Sequence, residues 1–170
     1  ARALRNHALR VLERAAAVAD PAARATLLTF VIVGAGATGV ELACALAEFN
    51  LHVVPRDDPR LGANALRIVV LEGGPDVLPP FPESLRHRAR ADLGAFGVEV
   101  RTGARVEQVA ADHVTLAGGE YLAAGTIVWA AGIRGAAVGS RLGLPTGRSG
   151  RLRVDPTLAV PGHPCIFAAG

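Results

Sequence analysis

Hydrophobic positions change their period several times along the chain. Between Arg2 and about Val18, Leu4, Ala8, Val11, Leu12 and Ala15 recur on one stripe among charged residues. That pattern predicts an amphipathic helix, with Asp20-Pro21 marking its end. From Leu27 to Val33 nearly every position is apolar and several are β-branched, as expected of a strand buried on both faces. Gly34-Ala35-Gly36-Ala37-Thr38-Gly39 follows at once. From Val40 to Phe49 the period is helical again, and Val40, Ala43, Cys44 and Ala47 make a stripe of small side chains suited to close packing on a sheet. Residues 50–64 read as a polar, Pro-containing insertion.

Arg67 to Glu72 reads as a second buried strand, broken by Gly73-Gly74-Pro75, with a loop over Leu78–Pro82. A helix is predicted from Glu83 to Phe96 and a short strand over Val98–Val100. Val106 to Leu122 reads as antiparallel strands around the turn Ala117-Gly118-Gly119-Glu120. Thr126 to Ala130 is a further buried strand that ends at Ala131-Gly132, and beyond Gly135 glycine and proline are frequent. Strands alternating with helices predict an α/β fold: a Rossmann-like parallel sheet flanked by helices, with one antiparallel β segment.

Composition narrows the chemistry. The chain has 170 residues, 51% hydrophobic and 19% charged, which suits one globular domain. The apolar runs at Leu27–Val33 and Ile68–Leu71 are too short to cross a bilayer, and the first fifteen residues lack the apolar stretch of a secretory signal. All 18 basic residues are arginine. Without lysine there is no Schiff base and no Walker phosphate loop. Aromatics make up 4%, and the one basic cluster, Arg86–Arg90, reads as a solvated helix face, so no nucleic-acid partner is expected. Cys44 and Cys165 form no C-x-x-C pair, which excludes a redox dithiol, and Cys44 reads as a packing residue. The five histidines have no ligand spacing, so no metal is expected.

The strand–GAGATG–helix order carries the strongest chemical signal. Gly34 allows a sharp turn out of the strand. Gly36 lets a pyrophosphate approach the backbone, and Gly39 lets helix and strand pack tightly. The helix N-terminus then offers free N–H groups and a positive dipole end to phosphates. An acid at the end of the second strand should accept hydrogen bonds from an adenosine ribose, and Glu72 stands there. It lies further along than the roughly 20 residues usual for this fingerprint, and the insertion accounts for the excess. A carboxylate there favours NAD(H) over NADP(H); the alternative is a strand-end carboxylate in solvent. Glu41, read as lying in the first turn of the helix, either complements the helix dipole or points toward the nicotinamide end. Ala131 and Gly132, small residues at a strand end, either let a cofactor lie against the backbone or form a plain turn.

At this point the residues resemble the type II NADH dehydrogenases, single-subunit NADH:quinone oxidoreductases. The matching strings are LTFVIVGAGATGVELACALAEF (Leu28–Phe49), RIVVLEGGPDVLPPFPESL (Arg67–Leu85), IVWAAGI (Ile127–Ile133) and VDPTLAVPGHPCIFAAG (Val154–Gly170). GATGVE together with VWAAG is more specific than GxGxxG alone. The resemblance implies two Rossmann-like domains that bind NADH and FAD, electron transfer from NADH through the flavin to a membrane quinone, and no proton pumping. It implies that no side chain acts as a catalytic nucleophile. By motif position it assigns Gly34, Ala35, Gly36, Ala37, Thr38, Gly39, Glu41 and Glu72 to NADH, with Ala131 and Gly132 beside it. Gly170 falls at the start of an FAD-contacting motif.

The resemblance further implies a division into 1–26 (a helical lead-in from the FAD domain), 27–134 (the NADH-binding domain) and 135–170 (a return segment to the FAD domain). Both chain ends read as cuts through a longer protein, with the FAD fingerprint upstream and a membrane-binding region downstream. Alone, the chain is expected to bind NADH without oxidising it efficiently. The full-length protein is expected on the cytoplasmic side, peripheral to the inner face of the cell membrane, with a homodimer as an open expectation. Two other readings remain: an NADH-dependent ferredoxin or rubredoxin reductase, and an NADH-sensing module without catalysis.

Overall fold

A computed structural model of the chain describes residues 2–61 and 65–169. The chain divides into two compact units, Ala1–Ala131 and Gly132–Gly170. In the first, the elements run α1 (Arg2–Ala17), α2 (Pro21–Leu27), β1 (Thr29–Val33), α3 (Ala37–His52), α4 (Val54–Asp57), β2 (Arg67–Leu71), α5 (Glu83–Ala95), β3 (Glu99–Arg101), β4 (Val106–Val109), β5 (His113–Leu116), β6 (Tyr121–Ala123) and β7 (Thr126–Trp129). The second unit holds α6 (Val138–Arg141) and an antiparallel pair, β8 (Ala159–Val160) and β9 (His163–Phe167).

Strands β3-β2-β1-β7 form a four-stranded parallel sheet in that order. Side chains alternate across it, so β1 and β2 each feed two cores. Phe30, Ile32, Ile68 and Val70 join one cluster with Ala8, Val11, Leu12 and Ala15 of α1, Ala43, Leu46 and Ala47 of α3, and Leu93 of α5. On the opposite face Val31, Val33, Val69 and Leu71 cluster with Val114, Leu116, Leu122 and Ala124 from the antiparallel meander β4-β5-β6. Helices thus cover one face of the sheet and the meander covers the other. This is why the β1 and β2 sequences are apolar without alternation.

Several boundaries differ from the sequence reading, each for a physical reason. Asp20-Pro21 ends α1 but also starts α2: the Asp20 carboxylate accepts hydrogen bonds from the Ala22 and Ala23 N–H groups at 3.1 and 3.3 Å. β1 therefore begins at Thr29, not Leu27. The start of the supposed insertion is helical: α3 runs on to His52 and α4 follows, with Gly62, Ala63 and Asn64 outside the described residues. Asn50 looked like a loop residue, yet it is 4% exposed. Its amide donates to the Leu66 carbonyl and accepts from the Leu66 N–H, both at 2.9 Å, which ties the end of α3 to the start of β2. β7 is not a fully buried strand. It is an edge strand, and Trp129 is 61% exposed.

Among the described residues the helical run Ala37–Asp57 is long and apolar enough, by composition alone, to cross a membrane. Its Gly39, Ala43, Leu46, Ala47 and Asn50 are buried within the first unit instead. Cys44 packs part-buried against the helical core, and burial, followed by the charges of Glu48 and Asp92, pushes its thiol up from the ordinary value. That suits a packing residue.

Candidate functional site

The order of the parallel strands reverses between β1 and β7: the chain builds outward from β1 through β2 to β3, then crosses back to β7 on the other side. Carboxyl-end loops separate at such a point and leave a crevice. Gly34, Ala35, Gly39, Glu72 and Ala131 lie next to one another at this end of the sheet. Gly34 leaves β1 with φ +104, a conformation that penalises any side chain. A Cβ on it would also lie 2.7 Å from the Ala131 Cα and 2.8 Å from the Ala130 carbonyl. The glycine loop and the end of β7 are therefore in contact. A Cβ on Gly39 would land on the Gly34 carbonyl oxygen, so α3 can approach β1 only through glycine here.

Gly36 is different. A Cβ there would meet nothing within 4 Å. No packing demand of this fold requires glycine at that position, and the space above it is free. Gly36 is the N-cap of α3 and offers no side-chain cap, while Ala37 and Thr38 of the first turn are exposed. A 16-residue helix begins here, so its first N–H groups lack helical partners and its positive dipole end lies beside Gly36. The arrangement is able to hold an anionic group against the backbone.

Glu72 does not wave in solvent. One carboxylate oxygen accepts the Ala35 N–H at 2.8 Å and the other accepts the Gly74 N–H at 2.8 Å. Two backbone donors thus hold the acid against the glycine loop, and each oxygen keeps acceptor capacity for a hydroxyl. An anionic phosphate beside it would meet like charge. Ala35 is clamped from its other side as well, since its carbonyl accepts the Leu78 N–H at 2.8 Å.

Glu41 lies elsewhere than expected. With α3 starting at Ala37 there is no acid in its first turn; Glu41 is on the second turn and exposed. Dipole complementarity fades beyond the first turn, so that account loses its basis. At the end of β7, Ala131 is exposed beside Gly34, and Gly132 follows in the chain with φ +107. Gly170 lies outside the described residues.

Sequence reasoning missed one feature near the site. Asp76, on the loop after β2, accepts from Arg86 at 3.1 Å and Arg90 at 2.9 Å, so the basic run of α5 is only partly a solvated face. The four-residue spacing of Arg86 and Arg90 puts both on one side of the helix, but nothing in the sequence points them at Asp76. Among the described residues no His, Cys, Asp and Glu cluster could hold a metal ion.

The model of the family described as pyridine nucleotide-disulphide oxidoreductase matches residues 3–170. The type II NADH:quinone oxidoreductase Ndh of Mycobacterium tuberculosis is 36% identical, over 98% of this chain and 38% of that protein. The structure of NDH2 from Plasmodium falciparum in complex with NADH superposes with a TM-score of 0.78 at 24% identity, over 92% of this chain and 34% of that one, and this likeness shows the fold. A FAD-dependent pyridine nucleotide-disulphide oxidoreductase from Desulfovibrio vulgaris is 28% identical with a TM-score of 0.59, over 84% of this chain and 34% of that one. The chain thus spans little more than a third of the length of the proteins it matches. With the fold and a match over almost all its residues in agreement, the chain belongs to the pyridine nucleotide-disulphide oxidoreductase family.

Proposed function

We propose that this chain is the NADH-binding unit of a FAD-dependent NADH:quinone oxidoreductase that pumps no protons. The observation that carries the reading is the free space above Gly36 at an uncapped helix N-terminus, beside a Glu72 carboxylate held by two backbone donors. The likeness to the mycobacterial NADH:quinone oxidoreductase supports the choice of substrates.

The pyrophosphate lies over Gly36 and takes hydrogen bonds from the N–H groups at the start of α3, among them those of Ala37, Thr38 and Gly39. Glu72 accepts hydrogen bonds from the adenosine ribose hydroxyls, and its charge disfavours a 2′-phosphate. Gly34 and Ala35 shape the loop. Ala131 and Gly132 offer backbone without bulk for the nicotinamide half, and Glu41 positions the nicotinamide. When bound, NADH supplies two electrons and FAD passes them to the quinone, so the chain needs no nucleophile of its own. FAD is assigned no described residue here; Gly170 is the one position in the chain proposed for it. In the full-length protein the return segment 135–170 leads back to the FAD domain, and a quinone acceptor places the enzyme at the inner face of the cell membrane. A homodimer is compatible with this reading, and no nucleic-acid partner is part of it.

The test uses the full-length protein. Purified material should show flavin absorbance and reduce a soluble quinone with NADH. Reduction of ferredoxin or rubredoxin in preference to quinone would move the reading to the reductase alternative, and absence of flavin would move it to a sensing module. The Glu41→Gln variant should slow flavin reduction by NADH without lowering Tm.

A further inference from the structure

We propose that Asp76, clamped by Arg86 and Arg90, is a positioning residue that sets the shape of the glycine loop and so the affinity for the dinucleotide. This rests on the dinucleotide reading above. Asp76 is itself no candidate ligand; it acts through a short chain of bonds. Its carboxylate accepts the Arg86 guanidinium at 3.1 Å, the Arg90 guanidinium at 2.9 Å and the N–H of Val77 at 2.9 Å. Both arginines come from α5, which is anchored in the helical core through Leu93. Val77 is fully buried in that same core. The next residue, Leu78, has φ +50, a left-handed conformation that a branched side chain adopts only when its surroundings hold it there. In that conformation its N–H reaches the Ala35 carbonyl at 2.8 Å.

Ala35 is the residue between the first two glycines of the fingerprint, and it is fully buried. Its N–H is spoken for by Glu72 and its carbonyl by Leu78. The peptide that leads into Gly36 is therefore oriented from the β2–α5 loop rather than from within the glycine loop. Small shifts in such a peptide misaim the N–H groups that meet the pyrophosphate. Backbone bonds from Gly103 to the Gly74 carbonyl at 2.8 Å and from Ala104 to the Glu72 carbonyl at 2.9 Å hold the start of this loop, and the clamp on Asp76 holds the part that leads into Val77 and Leu78.

The experiment is titration of the chain with NADH, followed through its one tryptophan, Trp129, well below the melting temperature. Asp76→Asn leaves two arginines without their anion and should weaken NADH binding about tenfold. Arg90→Gln should weaken it in the same direction by less. Arg88→Gln, which breaks the exposed Arg88–Asp92 pair of the same helix, should leave it unchanged. In the NADH-free chain, Asp76→Asn should also shift the amide resonances of Ala35 and Leu78, which loss of stability alone does not do. An Asp76→Asn chain with a lower Tm but unchanged NADH affinity would overturn the proposal and leave the dinucleotide reading standing. If that variant does not fold, a folded Arg90→Gln chain with unchanged affinity overturns it equally. Failure of the wild-type chain to bind NADH overturns both.

Discussion

The two edges of the parallel sheet are finished in opposite ways. At the β3 edge a ladder of charges crosses from strand to strand on the meander side: Arg67 of β2 binds Glu99 at 2.8 Å, Arg101 binds Glu99 at 2.6 Å, and Arg101 reaches Glu120 of the β5–β6 turn at 2.6 Å. At the β7 edge the strand ends in Ala130, Ala131 and Gly132, with Trp129 left largely in solvent. Charges along a sheet edge discourage a further strand from adding, and they tie a three-residue strand down. Among the described residues the β7 end carries no such ladder. Its small residues close against Gly34, and they leave clear the open space at Gly36 that the proposed cofactor needs. The difference separates residues that hold the fold from residues that keep space clear, and the two classes should respond differently to mutation.

The glycine loop at the β1–β7 crevice contains both classes within four residues. Gly39→Ala should be the most damaging change, costing more than about 3 kcal/mol, because the new Cβ collides with backbone that cannot move aside. Chemical denaturation measures this. A loss under about 1 kcal/mol would mean that α3 can shift along β1. Gly36→Val should do the reverse. With open space around it, Tm should barely move while NADH affinity falls by about two orders of magnitude, since the side chain occupies the space for the pyrophosphate. Unchanged affinity would reduce the loop to a turn.

The charged edge should respond weakly and with pH. Burial pushes the Glu99 carboxyl up, but hydrogen bonds from Arg67 and Arg101 and their charges outweigh it, so its pKa lies below the ordinary value when folded. A carboxyl depressed in this way adds stability above its unfolded pKa and loses it as pH falls through the folded one. Glu99 is more than a third exposed and solvent screens it, so Glu99→Gln should cost less than about 1 kcal/mol near neutral pH. The cost should vanish in acid, where wild type and variant should melt alike. NADH affinity should not change at any pH where the chain is folded; a change would mean that the β3 edge reaches the site.

Particular residues show what was legible in the sequence. The unbroken apolar runs of β1 and β2 and the glycines between β1 and α3 announced themselves, since periodicity and glycine spacing are local signals. So did Glu72, because its place after a strand follows from the same local pattern. Asn50 did not: a polar residue near a proline reads as a loop unless its buried partner, the Leu66 backbone, is known. The exposure of Trp129 was hidden for a related reason, because an apolar strand reads as central until the strand order is known. Asp20-Pro21 carried two meanings, a stop for α1 and a start for α2, and only the stop was read. Placing Glu41 in the first turn followed from starting α3 at Val40, where the small-residue stripe becomes regular, rather than at Ala37. The Asp76 clamp joins a loop to a helix through long side chains, and no spacing rule encodes that.

NADH held over Gly36 and selected by the Glu72 carboxylate is a reading that two cofactors can separate. Parallel titrations of the chain with NADH and NADPH, followed through Trp129, test it most directly. NADH should bind saturably and more tightly than NADPH by at least about tenfold, because a 2′-phosphate must sit against a fixed carboxylate. Glu72→Gln should erase most of that preference. Equal affinity for the two cofactors in the wild-type chain, or no binding of either, would contradict it.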